Sequence, residues 1–273
     1  MHDQLITGRC PWCVGATVRS ARVDTDPIDS SPGAHSSAGC ALVTGASSGI
    51  GRALAAMLGA RGMRVWLVGR DVARLEATAR EVDAAGGRAS VVRADLTVDG
   101  DVAAVVDAVC AETDGLDVLV HAAGVAVADA GPSPTAGEIA AHHAVNATAP
   151  AQLTAGLRSL VVARRGLVMV VNSVAGLRDA PGFHAYAGSK HAARAWADSL
   201  RAELDGHGVR VCSLYPTQVA TPMQEAICVA RGAPYEPDPL LQPEDLVAIV
   251  GFVLDHPGFE VTDLSVRSAR VSS

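Results

Sequence analysis

Tyr186 and Lys190 stand four residues apart in HAYAGSKHA (184–192), a run otherwise made of small side chains. In a helix that spacing places phenol and ammonium on one face, about one turn apart. A phenol beside a cation can be a tuned acid, since nearby positive charge favours phenolate and lowers a pKa ordinarily near ~10. It can equally be an ordinary aromatic next to a solvated lysine. Ser173 precedes Tyr186 by thirteen positions and offers a hydroxyl that can hold a substrate oxygen beside the phenol. A phenol so tuned can serve as a general acid or base.

A second chemistry lies in TGASSGIG, Thr44–Gly51. Gly45, Gly49 and Gly51 permit a tight turn, close backbone approach and close helix packing. The helix that follows offers free N–H groups and a positive dipole end to a pyrophosphate. Ser47, Ser48 and Ile50 lie inside the same loop and are candidate cofactor contacts with the glycines. The next strand ends Val68-Gly69-Arg70, so Gly69 stands where a carboxylate would hold the ribose hydroxyls of NAD. Arg70 suits a 2′-phosphate instead, Ser47 can add a hydroxyl to that group, and Asp71 reads as the N-cap of the next helix. The cofactor expected is NADP.

These groups need a scaffold, and the chain's rhythm supplies one from Cys40 onward. Strands are expected at CALVTG (40–45), MRVWLVG (63–69), RASVVRADL (88–96), LDVLVHAAG (116–124), GLVMVVNSVAG (166–176), HGVRVCSLYP (207–216) and FEVTDLSVRS (259–268). Helices are expected at 49–62, 71–87, 101–112, 136 to about 163, from 184 onward and at 243–257. Alternating β and α elements with apolar strands imply one α/β domain, a Rossmann-like doubly wound parallel sheet with helices on both faces. Residues 1–38 break the pattern with Asp-Pro, Ser-Ser-Pro-Gly and no sustained apolar period, and read as a disordered tail. Cys10 and Cys13 in that tail have the C-x-x-C spacing but lack a redox fold context and two further zinc ligands, so no metal site is expected.

Bulk properties narrow the class. The formal charge is −7, from 22 basic and 29 acidic residues with no long basic run, which argues against a nucleic-acid surface. No apolar run approaches the ~18 residues of a membrane span, and MHDQLITGRC has no signal-peptide pattern, so cytoplasm is the expected compartment. Aromatics are 3% of residues, leaving packing to Ala, Val and Leu. Cys40, Cys110 and Cys212 fall in apolar runs and read as small core residues.

Taken together, the pieces resemble the short-chain dehydrogenase/reductase family from about Gly39 to Arg267. They are TGASSGIG, the Asp95-Leu96 pair, HAAG at 121–124, Asn146, Ser173 and the Tyr186–Lys190 pair, in fitting order and separation. The resemblance implies that Asn146, Ser173, Tyr186 and Lys190 are catalytic, with Lys190 on the nicotinamide ribose and Asn146 holding a water that links Lys190 to solvent. It implies cofactor contacts from Asp95, Leu96, Ala122 and Gly124, and from Pro216, Val219 and Thr221 near the carboxamide. It also implies a homodimer or homotetramer formed through the helices around Asn146 and Tyr186. Two departures stand out. His121-Ala-Ala-Gly124 replaces the family's Asn-Asn-Ala-Gly, with His121 read as structural, and Pro216-Thr217 replaces its Pro-Gly, which leaves the following loop path open.

Substrate choice is expected from a lid at about 217–241, through Met223, Ile227, Val229, Tyr235 and Leu240, completed by parts of 125–134 and 174–183. That lining favours a medium-sized hydrophobic carbonyl or alcohol. Arg178 and Arg231 leave open an acidic or thioester-linked substrate such as a 3-oxoacyl carrier. A reading from another class, a non-catalytic dinucleotide sensor, has no need of the acid.

Overall fold

The computed structural model describes residues 39–128 and 133–270. The proposed tail and its Cys10–Cys13 pair lie outside them. Seven strands form one parallel sheet: β1 (Cys40–Thr44), β2 (Arg64–Gly69), β3 (Arg88–Arg93), β4 (Val118–His121), β5 (Leu167–Val171), β6 (Arg210–Pro216) and β7 (Asp263–Val266). Their spatial order is β3-β2-β1-β4-β5-β6-β7. β1 therefore lies between β2 and β4, and the connections diverge there. That reversal opens a crevice at the carboxyl ends of β1 and β4.

Side-chain alternation along the strands builds two cores. Ala41, Val43, Val65 and Leu67 face one layer, while Leu42, Trp66 and Val68 face the other. The first layer is closed by α1 (Gly49–Ala60), α2 (Val72–Ala84) and α8 (Pro243–Asp255) through Leu54, Leu58, Leu75, Val82, Leu246 and Val250. The second is closed by α3 (Asp99–Cys110), α5 (Ala149–Ala163) and α6 (His184–Leu204) through Val105, Val109, Leu153, Leu157, Ala197 and Leu200. Each fully buried leucine contributes ~1.5–3 kcal/mol. β3, at one edge, alternates in exposure, whereas β4 and β5 are buried along their whole length.

Helix starts follow capping chemistry. Asp71 Oδ1 accepts from the Arg74 N–H at 3.1 Å, fixing the start of α2 as its sequence position indicates. Thr135 and Glu138 form a reciprocal capping box on α4 (Ala136–His143).

The structure differs from the sequence reading in several places. The helix expected over 136–163 is α4, a π-helical turn at Ala144–Thr148, then α5. Pro150 accounts for the change: it has no N–H to return to the Asn146 carbonyl, and its ring would crowd that carbonyl. The wider turn instead takes the Ala149 N–H to the Ala144 carbonyl. An unanticipated helix, α7 (Pro222–Ala230), occupies part of the segment after β6. Thr221 caps it and Pro222 opens it, a start signal present in the sequence. β3, β4, β5 and β7 are shorter than expected; beyond β5 the chain turns through Asn172 into a 3₁₀ turn at Val174–Gly176. Cys110 is exposed at the end of α3 rather than in the core, whereas Cys212 is buried.

Candidate active site

Backbone geometry makes the first half of the site. Gly45 has φ +67°, and a Cβ there would stand 2.7 Å from the Ala123 backbone. Thr44 explains why the two loops lie so close: its Oγ1 accepts the N–H groups of Ala122 and Ala123, both at 3.1 Å, and donates to the Val120 carbonyl. At Gly51 a Cβ would come within 2.3 Å of the Gly45 carbonyl oxygen. The cavity above this loop, about 240 Å³, is lined by Gly45, Ser47, Ser48, Gly49, Ile50 and Gly51. Across it stand Arg70, Asp95, Leu96, Ala122, Gly124 and Thr221. The side chain of Ser48 makes no cap bond to α1, leaving first-turn N–H groups for another acceptor.

At the far end of this cavity a Cβ on Gly69 would lie 3.3 Å from Leu75 Cδ2 and 3.6 Å from Ser47 Oγ. Ser47, Gly69 and Arg70 thus converge on one corner. The Asp95 carboxyl is held below its ordinary value by the Thr97 N–H and hydroxyl, with lesser help from Arg70 and Arg93.

Side chains make the second half. Ser173, Tyr186 and Lys190 line an adjoining cavity of about 240 Å³ together with Pro216 and Val219. The Ser173 hydroxyl accepts from the Ala175 N–H at 3.1 Å and stands beside the Tyr186 phenol. Burial raises the Tyr186 pKa, and the neighbouring Ser173 hydroxyl only partly opposes that. The lowering expected from Lys190 is not what governs this state. Lys190 Nζ donates to the Val171 carbonyl at 3.0 Å and lies 5.8 Å from the centre of the phenol ring. Burial pushes the lysine down to about 8, so it too holds its charge weakly here.

Asn146 sits in the π-helical turn, buried, with three protein partners. Its Oδ1 accepts the Val125 N–H, and its Nδ2 donates to the Val125 carbonyl and to Ser189 Oγ, each at 2.9 Å. It ties the loop after β4 to α6; it makes no direct bond to Lys190 in this state.

Three supporting residues escaped the sequence reading. Asn172 Oδ1 accepts the Ser173 N–H, and Asn172 Nδ2 donates to the Lys190 carbonyl, so one amide fixes both walls. Ser189 donates to the Tyr186 carbonyl. His142, buried on α4, accepts the Val127 N–H at Nε2 and packs edge-on against Tyr186, with ring centres 6.3 Å apart. The bonds of Asn172 to Lys190 and of His142 to Val127 span 18 and 15 positions, whereas Asn172–Ser173 and Ser189–Tyr186 are local.

His121 is structural in its surroundings. Its Nε2 is 2.8 Å from Thr154 Oγ1, and its ring packs against Trp196 at 5.7 Å. Full burial pushes its pKa down to about 3, so the imidazole is neutral.

The loop after β6 is also resolved. The Thr217 N–H donates to the Val266 carbonyl at 2.8 Å, so the chain stays on β7 for one residue past Pro216. Val219 then pairs with Leu241, which delivers Thr221 beside Gly49. Met223 and Ile227 reach the catalytic cavity, as expected. Val229 instead faces solvent at 73% exposure, and Tyr235 and Leu240 line a separate groove. Among the described residues, no cluster of three or more His, Cys, Asp or Glu is placed to hold a metal, and no helix is long and apolar enough to cross a membrane.

Known proteins share this arrangement. An uncharacterized oxidoreductase of Myxococcus xanthus is 40% identical over 177 residues, 64% of this chain and 70% of that protein. A short-chain type dehydrogenase/reductase of Sinorhizobium fredii is 34% identical over 232 residues, 83% of this chain and 90% of that one. Among solved structures, a metagenomic short-chain oxidoreductase in complex with NADP superposes with a TM-score of 0.73 at 32% identity, covering 85% of this chain and 97% of the other. The family model described as short chain dehydrogenase matches residues 39–231, a span that holds the glycine loop, Ser173, Tyr186 and Lys190 alike. With the fold, the order of its motifs and this match in agreement, the chain belongs to the short-chain dehydrogenase/reductase family of oxidoreductases.

Proposed function

We propose that the protein is an NADP-dependent oxidoreductase that interconverts a carbonyl and an alcohol on a medium-sized, largely apolar substrate. The observation that carries this is the meeting of Ser173, Tyr186 and Lys190 in one cavity adjoining the glycine loop. The residues present fit a dinucleotide. Gly45 and Gly51 leave backbone cradles that any Cβ would fill, and the Ser47–Gly69–Arg70 corner has a cation and no carboxylate for a 2′-phosphate. The solved relative that holds NADP supports the same choice.

When bound, the nicotinamide supplies or accepts hydride. The chain's own residues do the rest. Ser173 orients the substrate oxygen, and Tyr186 gives up its phenolic proton to that oxygen in reduction and takes it back in oxidation. Burial keeps the phenol protonated in the free state, which suits proton donation. Lys190, as ammonium, stabilises the phenolate left behind. Asn146, Ser189 and Asn172 hold the loops and helix that set these positions.

A 3-oxoacyl-thioester reductase is the favoured narrower alternative, supported by Arg231 on the cavity wall. A dinucleotide sensor without turnover is the competing class, and the assembled Ser173–Tyr186 pair counts against it. Cytoplasmic residence and a homodimer or homotetramer belong to the same proposal, the assembly being read by light scattering. The deciding experiment supplies NADPH with ketones, quinones and acyl thioesters and follows cofactor oxidation. Tight NADPH binding without oxidation of any of these would favour the sensor.

A further inference from the structure

We infer that the substrate carries an anionic group, a carboxylate or a phosphate, at the end remote from its reacting carbon–oxygen bond. The inference rests on the oxidoreductase reading and specifies what enters the same cavity. Among the described residues, the charged side chains lining that cavity are Lys190, which is buried, and Arg231, which is exposed, with no carboxylate. The Arg231 guanidinium lies 4.8 Å from the centre of the Phe183 ring. Phe183 in turn packs edge-on against Tyr186, with centres 6.3 Å apart. The Phe183 ring, edge-on to Tyr186 on one side and under the guanidinium on the other, therefore links the cation to the proton donor.

A neighbouring groove extends the pattern. Val174 and Thr217 line both it and the catalytic cavity, and among the described residues its charged side chains are Arg178 and Arg267. Among the described residues, none of these three arginines has an ion-pair partner. Arg52, Arg61, Arg201 and Arg270, by contrast, each face a carboxylate. In a chain of net charge −7, guanidinium groups on the cavity wall and in the groove beside it raise the local positive potential, although Arg267 also borders a third groove that holds Glu236. Their planar forks match carboxylate and phosphate oxygens. Between Arg231 and Tyr186 the wall is apolar, through Phe183, Ala180 and Ile227, which suits a hydrocarbon joining the two polar ends.

The test uses chain-length-matched ketones ending in methyl, carboxylate or phosphate. Their binding to the full chain saturated with NADP⁺ is measured by calorimetry, and their reduction with NADPH is measured in parallel. An anionic end should improve affinity and kcat/KM roughly ten-fold, with the better of the two anions identifying the group. Exchanging Arg178, Arg231 and Arg267 together for Gln should erase that advantage, while Arg231→Lys alone should keep part of it. Equal binding of neutral and anionic ketones, or an advantage that survives the triple exchange, overturns the inference. Anionic preference in binding without turnover of any ketone would sink the oxidoreductase reading and leave the anion site standing. Turnover of the neutral ketone with no anionic preference would do the reverse.

Discussion

The two walls of the cleft are made in opposite ways. The glycine-loop wall is backbone: its shape depends on side chains that are absent at Gly45 and Gly51, and Thr44 stitches it to the loop after β4. The opposite wall is side chain: Ser173, Tyr186 and Lys190 do the chemistry, and Asn146, Asn172, Ser189 and His142 hold them. A wall of the first kind fails when an atom is added. One of the second kind fails when an atom is removed.

The largest expected effect is a removal. Tyr186→Phe takes away one oxygen while the ring keeps its contacts with His142 and Phe183. We expect kcat to fall by ~10²–10⁴ with NADPH affinity retained. Steady-state rates and a fluorescence titration of the same sample check both; a variant that stays active would move the proton donor elsewhere, with His184 examined first.

His121 sits behind both walls, at the end of β4, and sharpens the comparison through pH. Its pKa is about 3 in the fold against 6.5 for the free side chain, so the folded protein disfavours its protonation. The stability associated with its neutral form is present above pH 6.5 and is lost as pH falls from 6.5 through about 3. One pKa unit corresponds to ~1.4 kcal/mol, so the whole window amounts to about 5 kcal/mol. Denaturant titrations across that range should show a shallower acid dependence in His121→Asn. An unchanged slope would mean that other groups control the acid transition.

An addition comes next. In Gly51→Ala the new methyl would collide with the Gly45 carbonyl, and overpacking of this kind costs ~1–3 kcal/mol. NADPH affinity should drop by about ten-fold or more, while Ala at Gly100, where a Cβ meets nothing within 4 Å, should leave affinity unaltered. Equal affinities in the two variants would dissolve the distinction between the walls.

The smallest effect concerns cofactor choice. Arg70 should favour NADPH over NADH by roughly ten-fold, weakening as salt screens the 2′-phosphate. The pair Gly69→Asp with Arg70→Ile should reverse the order; a Cβ at Gly69 meets only flexible Leu75 carbons and Ser47 Oγ at 3.3 Å or more. NADH bound as tightly as NADPH by the parent protein would place Arg70 in solvent.

What the sequence disclosed follows the same division. The glycine loop, the succession of strands and helices along the chain and the Tyr186–Lys190 pair are local or strictly spaced, so they could be read from pattern; the spatial order of the strands was not. Asn172 and His142 work through contacts with residues 18 and 15 positions away, and no periodicity announces such bonds. Helix α7 buries none of its residues and is only nine residues long, so the Met223–Ile227 spacing was too short a pattern to stand out, although Thr221-Pro222 marked its start. The π-helical turn has no compositional signature at all. Only Pro150, read as a lost donor, pointed to a fault in the helix.

That turn makes the segment sensitive to residue count rather than residue type. A π turn contains one residue more than the α turn it replaces. Deleting a single residue between Ala144 and Thr148 would let α4 and α5 run on as one regular helix, with α5 anchored by Leu153 and Leu157. Everything ahead of the deletion would then swing by about 100° around the helix axis. His142 would leave Tyr186 and the Val127 N–H together, although neither His142 nor its partners had been altered. Length variation should therefore be far less tolerated here than substitution at the exposed surface of the same helix.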